Sequence, residues 1–92
     1  MILAVDIGNT NIVIGCIDDQ KTYFVEQAAT DIAKTDLEYA VEFKTVLELY
    51  GIDMKEIQGA IISSVVPPLV NVIKRAVAKI VHVKQLVVGP GV

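Results

Sequence analysis

The chain has 92 residues, enough for one domain and too few for two, and its 53% apolar and 21% charged content excludes a disordered segment. Net charge is −3: residues 1–66 carry four basic and eleven acidic groups, whereas residues 67–92 carry Lys74, Arg75, Lys79 and Lys84 and no acid. That basic run has no interleaved aromatics, so it reads as a solvated helix face and argues against a nucleic-acid partner.

Residues 2–7 form a short apolar run ending at Gly8, which predicts a buried central strand. The run has no basic residues before it and leads directly into Asp6, so it is not a secretory signal. Residues 11–17 are rich in β-branched side chains and close on Asp18-Asp19, which predicts a second strand. The turn formers between the two strands predict a hairpin. Cys16, the single cysteine, excludes an internal disulfide and reads as a small buried hydrophobe in a cytoplasmic protein. Residues 21–27, with Tyr23, Phe24 and Val25, read as a third strand completing an antiparallel meander.

The period then changes. Thr35 and Glu38 form a capping box, and Tyr39, Ala40, Phe43, Val46, Leu47 and Tyr50 fall on one helical face. Gly51 is a natural stop, so the spacing predicts a helix over 36–50. Residues 57–65 are apolar nearly throughout and predict a strand buried on both faces of a sheet covered by helices. Pro67-Pro68 opens a second helix with an apolar stripe of Leu69, Val70, Ile73, Ala76, Val77 and Ile80. Those prolines also break the longest uncharged stretch, residues 59–73, so no membrane span is expected. Residues 85–88 read as a last short strand, followed by a Gly89-Pro90-Gly91 turn. The order β-β-β-α-β-α-β implies an α/β fold with a mixed five-stranded sheet and two parallel crossovers.

Asp6-Ile7-Gly8-Asn9-Thr10-Asn11 is the string most suited to chemistry. Gly8 permits close approach of backbone to a phosphate. Backbone N–H groups and the Asn9, Thr10 and Asn11 side chains supply converging donors, and Asp6 supplies a carboxylate for Mg²⁺, held directly or through water. The string fits neither the P-loop nor the dinucleotide pattern, and by residue type alone it reads first as a plain hairpin turn.

Residues 1–15, MILAVDIGNTNIVIG, resemble the start of type III pantothenate kinases, members of the acetate and sugar kinase, Hsp70 and actin superfamily. Ile62-Ser63-Ser64-Val65-Val66-Pro67-Pro68-Leu69 resembles that family's strand-to-helix segment, and Val88-Gly89-Pro90-Gly91-Val92 is similar to a third. The resemblance implies a ribonuclease H-like (actin-like ATPase) domain. It places Asp6 near Mg²⁺ and the transferring phosphoryl group, with Ile7, Gly8, Asn9, Thr10, Asn11, Ile12 and Val13 around the ATP phosphates. It further implies pantothenate as substrate, a monovalent cation (K⁺ or NH₄⁺), a homodimer, and a role at the first step toward coenzyme A. Members of the family are longer, so residues 1–92 are expected to be the N-terminal domain. The general base, the cation ligands and the pantothenate contacts are expected beyond it, and the isolated segment is expected to be inactive. Two other readings stay open here: a non-catalytic ATP-binding accessory factor for transcription, and another sugar- or acetate-type kinase.

Remaining candidates are weaker. Ser63 and Ser64 end a strand where a substrate cleft could open, but read first as strand-end and helix-cap hydrogen-bonding residues. His82, the single histidine, has no ligand-spaced partner, and no Ser-His-Asp or Cys-His set can be assembled.

Overall fold

A computed structural model describes residues 1–89, so Pro90 and Gly91 of the expected Gly89-Pro90-Gly91 turn lie outside the described residues. Three strands, β1 (Ile2–Ile7), β2 (Asn11–Ile17) and β3 (Thr22–Ala29), form the expected meander. Then come α1 (Asp36–Leu49), one 3₁₀ turn (Met54–Glu56), β4 (Gly59–Ser64), α2 (Pro67–Ile80) and β5 (Gln85–Val88). The sheet order is β3-β2-β1-β4-β5, with β1 antiparallel to β2 and parallel to β4, and β4 parallel to β5. Both parallel pairs follow from the helical crossovers, because a helix returns the chain to the starting edge of the sheet.

Helix α1 begins where its sequence says it must. The Thr35 hydroxyl accepts the Glu38 N–H, and the Glu38 carboxylate accepts the Thr35 N–H. It ends in a Schellman motif. The Ile52 N–H reaches the Leu47 carbonyl at 2.9 Å, the Gly51 N–H reaches Glu48 at 3.1 Å, and Gly51 carries φ +68°. Tyr39, Ala40, Phe43, Val46 and Leu47 face the core as the periodicity requires. Tyr50 departs from it: the residue is 46% exposed and instead stacks on Phe24, ring centroids 4.5 Å apart. Helix α2 buries Leu69, Ile73, Ala76 and Val77, and the two helices pack together. Arg75 and Lys79 of the basic face reach the Asp36 carboxylate at 3.5 and 3.6 Å. Partial burial opposes ionisation of Asp36, but the Lys79 charge and neighbouring donors outweigh it and lower its pKa.

Both helices cover one face of the sheet. Leu3, Val5 and Ile7 of β1, Ile12, Ile14 and Cys16 of β2, and Ala60 and Ile62 of β4 join the helices' buried residues in one core. The intervening residues face the other way. In this respect β4 differs from the expected strand buried on both faces: burial alternates along it, and Ile61 is 37% exposed. The apolar run looked continuous because an uncovered sheet face can still be lined by Ile and Val. β3 also runs two residues further than its composition predicts, since Ala28 and Ala29 pair with Ile12 and Asn11 of β2. Alanine is a weak strand former, and here the neighbouring strand decides. No helix of the described residues is long and apolar enough to cross a membrane.

Candidate functional site

Parallel strands β1 and β4 end side by side, and the β1–β2 turn projects from that same edge. Ligands of open α/β sheets bind outside such carboxyl ends. Asp6, the penultimate residue of β1, is exposed on the uncovered face. Its sheet neighbours in register are Val13 on β2 and Ser63 on β4. The Ser63 hydroxyl donates to Asp6 Oδ1 at 2.9 Å. That bond restrains the carboxylate's rotation and leaves Oδ2 without a hydrogen-bond donor among the described residues. Asp6 and Ser63 line a depression of about 180 Å³ on the open face, together with Ala4, Gly15 and Ile61.

The turn itself has an unusual hydrogen-bond pattern. The Gly8 N–H donates to the Asn11 carbonyl at 3.0 Å, but the reverse bond of a closed turn, Asn11 N–H to Gly8 carbonyl, is not made. No non-glycine residue among the described residues has positive φ, so the Asn9-Thr10 turn is not of the left-handed type that most tight hairpins use. Gly8 is needed for approach instead: a Cβ there would lie 2.9 Å from the Asn11 carbonyl oxygen. The Asn9 and Thr10 N–H groups have no acceptor among the described residues, and Asn9, Thr10 and Asn11 are all exposed. Unpaired backbone donors in a turn are chemically able to hold an anion, and a nearby carboxylate is able to hold a cation against it.

The other sequence-named residues divide by face. Ile7 and Ile12 are fully buried, so they bring only backbone to the turn. Val13 lies on the open face beside Asp6. Ser64 is buried, and its hydroxyl accepts the Val66 N–H at 2.8 Å, a strand-end turn and nothing more. The start of α2 contributes no donors, although helix N-termini often bind phosphate. Pro67 and Pro68 have no N–H, the Val66 N–H is held by Ser64, and the Leu69 N–H bonds to the Val66 carbonyl. Among the described residues, the unpaired backbone donors at this edge are those of the β1–β2 turn. His82 is exposed, and no group of three or more His, Cys, Asp or Glu side chains suits a metal among the described residues. One residue that contacts the turn escapes sequence reasoning altogether: Thr30, just after β3, bonds to both the Gly8 and the Thr10 carbonyls.

Comparison with known proteins shows the family. The family model described as type III pantothenate kinase matches residues 2–92. The chain belongs to the type III pantothenate kinase family. A type III pantothenate kinase of Geobacillus thermodenitrificans is 41% identical over all 92 residues, and that of Geobacter sulfurreducens is 40% identical over the same length. The chain spans 36% of each of these type III pantothenate kinases. Among solved structures, a ROK hexokinase of Thermus thermophilus superposes with a TM-score of 0.69 at 12% identity, over 96% of this chain and 33% of the hexokinase. At that identity the likeness speaks for the fold alone. The fold of this type III pantothenate kinase family member is the expected α/β, actin-like ATPase arrangement.

Proposed function

We propose that residues 1–92 are the N-terminal, ATP-phosphate-binding domain of a kinase that transfers the γ-phosphate of ATP to the 4′-hydroxyl of pantothenate, the first step toward coenzyme A. The observation that carries this reading is the Asp6 carboxylate beside the unpaired Asn9 and Thr10 N–H groups, at the carboxyl edge of parallel β1 and β4. Family membership supports the substrate.

In phosphoryl transfer, most of the catalysis is positioning and charge neutralisation. The turn binds the phosphates through backbone N–H groups, assisted by the Asn9, Thr10 and Asn11 side chains. Asp6 suits Mg²⁺: it is an exposed residue whose Oδ2 has no donor among the described residues, and a single carboxylate with water and phosphate oxygens matches a cation that dehydrates reluctantly. When bound, Mg²⁺ neutralises phosphate charge. Ser63 holds Asp6 in the rotation that keeps Oδ2 available. Val13 and Ser63 flank Asp6 in the sheet, so no second carboxylate neighbours it there, and the general base is assigned to the part of the relatives that this chain does not span. The same part is assigned the K⁺ or NH₄⁺ ligands and the surface of a homodimer working in the cytoplasm.

The test is phosphopantothenate formation by the full-length protein, followed by mass spectrometry. Wild type is expected to turn over, and Asp6→Asn to lower kcat by roughly a hundredfold. Absence of pantothenate phosphorylation, or Asp6→Asn turnover within twofold of wild type, would overturn the assignment. ATP binding without any transfer would point to an accessory protein instead.

A further inference from the structure

Thr30 follows β3 and lies half-buried against the β1–β2 turn, twenty residues and more from it in sequence. Its hydroxyl donates to the Gly8 carbonyl at 2.8 Å, and its N–H donates to the Thr10 carbonyl at 2.9 Å. One residue thus holds two carbonyls of a four-residue turn. The geometric consequence follows from the planar trans peptide, in which C=O and N–H point in opposite directions. No peptide among the described residues is cis. With the Gly8 carbonyl drawn toward Thr30, the Asn9 N–H must point away from it. With the Thr10 carbonyl drawn the same way, the Asn11 N–H must do likewise. The Gly8 carbonyl, turned toward Thr30, makes no bond with the Asn11 N–H, so that N–H also lacks an acceptor among the described residues.

Thr30 is itself anchored. The hydroxyl of Tyr39, a fully buried residue of α1, accepts the N–H of Asp31 at 2.9 Å and donates to the carbonyl of Asp31 at 2.7 Å. The chain of contacts runs from the core through Tyr39 and Asp31 to Thr30 and on to the turn.

We infer that Thr30 is a positioning residue that aims the Asn9 and Asn11 N–H groups at the nucleotide phosphates, with Tyr39 as its anchor. This rests on the phosphate reading of the turn. Thr30→Val in the full-length protein deletes the hydroxyl while keeping shape and backbone N–H. Loss of one such bond at a binding loop is expected to raise KM for ATP about five- to tenfold. Inorganic tripolyphosphate, used as a competitive inhibitor, is expected to weaken by the same factor, while KM for pantothenate stays within twofold. Thr30→Ser, which keeps the hydroxyl, is expected to recover most of the loss. An active Thr30→Val enzyme with unaltered KM for ATP overturns the role of Thr30 alone. So does an equal rise in both KM values, or a Thr30→Ser variant as impaired as Thr30→Val. A wild-type protein without ATP-dependent turnover overturns the phosphate reading itself, and the role of Thr30 with it.

Discussion

Replacing Gly8 by Ala perturbs the turn without touching a charge or a side-chain donor. The added Cβ would lie 2.9 Å from the Asn11 carbonyl oxygen, closer than carbon and oxygen tolerate. That oxygen is backbone and is the acceptor of the Gly8 N–H at 3.0 Å, so it cannot swing aside as a flexible side chain would. The mouth of the hairpin must open by several tenths of an ångström, which weakens this bond and shifts the Gly8 carbonyl held by Thr30. Overpacking of this kind costs about 1–3 kcal/mol, and the stiffer unfolded chain returns about 0.4–1 kcal/mol, leaving a net loss of up to about 2.6 kcal/mol. The functional loss is expected to exceed it, because the donors are re-aimed: one charge-assisted bond is worth about 1.5–3 kcal/mol, or roughly a ten- to hundredfold rise in KM for ATP. Urea titration and steady-state kinetics of the full-length protein read the two effects separately. An unchanged urea midpoint together with an unchanged KM for ATP would refute the reasoning.

Gly51→Ala provides the opposite case. Nothing lies within 4 Å of its Cβ position, but φ +68° strains any L-residue, so about 1 kcal/mol of stability is expected to be lost with KM for ATP unchanged. Ser63→Ala frees the Asp6 carboxylate, and the Mg²⁺ concentration for half-maximal rate is expected to rise roughly tenfold; an unshifted Mg²⁺ titration would remove Ser63 from the site. Burial pushes the Cys16 thiol from its ordinary 9.0 up to about 11, so thiol reagents at pH 7.5 are expected to label it only in urea. Its raised folded-state pKa means the unfolded chain holds fewer protons between those values. Stability is therefore expected to be intact below pH 9 and to fall at up to about 1.4 kcal/mol per pH unit toward pH 11, a slope that Cys16→Ala removes.

Much of the frame is legible in the residues. Thr35, Glu38 and Gly51 bound α1 within a residue of its observed end, because caps are local chemistry. The turn residues between two β-branched runs announce the first hairpin, and the helices between later strands announce parallel pairing. The misreadings share one cause, contacts distant in sequence. Ala28 and Ala29 become strand only because β2 lies beside them. Residues 57–65 suggested burial on both faces, and only the placement of both helices on one side shows otherwise. The site divides in the same way. The Asp6–Asn11 string stands out by composition and resemblance. Ser63 meets Asp6 through a parallel register that couples residues 57 apart. Thr30 looks like any threonine at a strand end until its two carbonyl partners are seen.

The central claim is that the β1–β2 turn binds the phosphates of ATP. Amide chemical shifts of the ¹⁵N-labelled full-length protein test it most directly, titrated with Mg²⁺·ATP and, separately, with adenosine. The Gly8, Asn9, Thr10 and Asn11 amides are expected to move with ATP and to stay in place with adenosine. ATP-induced shifts that leave these four amides unmoved would contradict the claim.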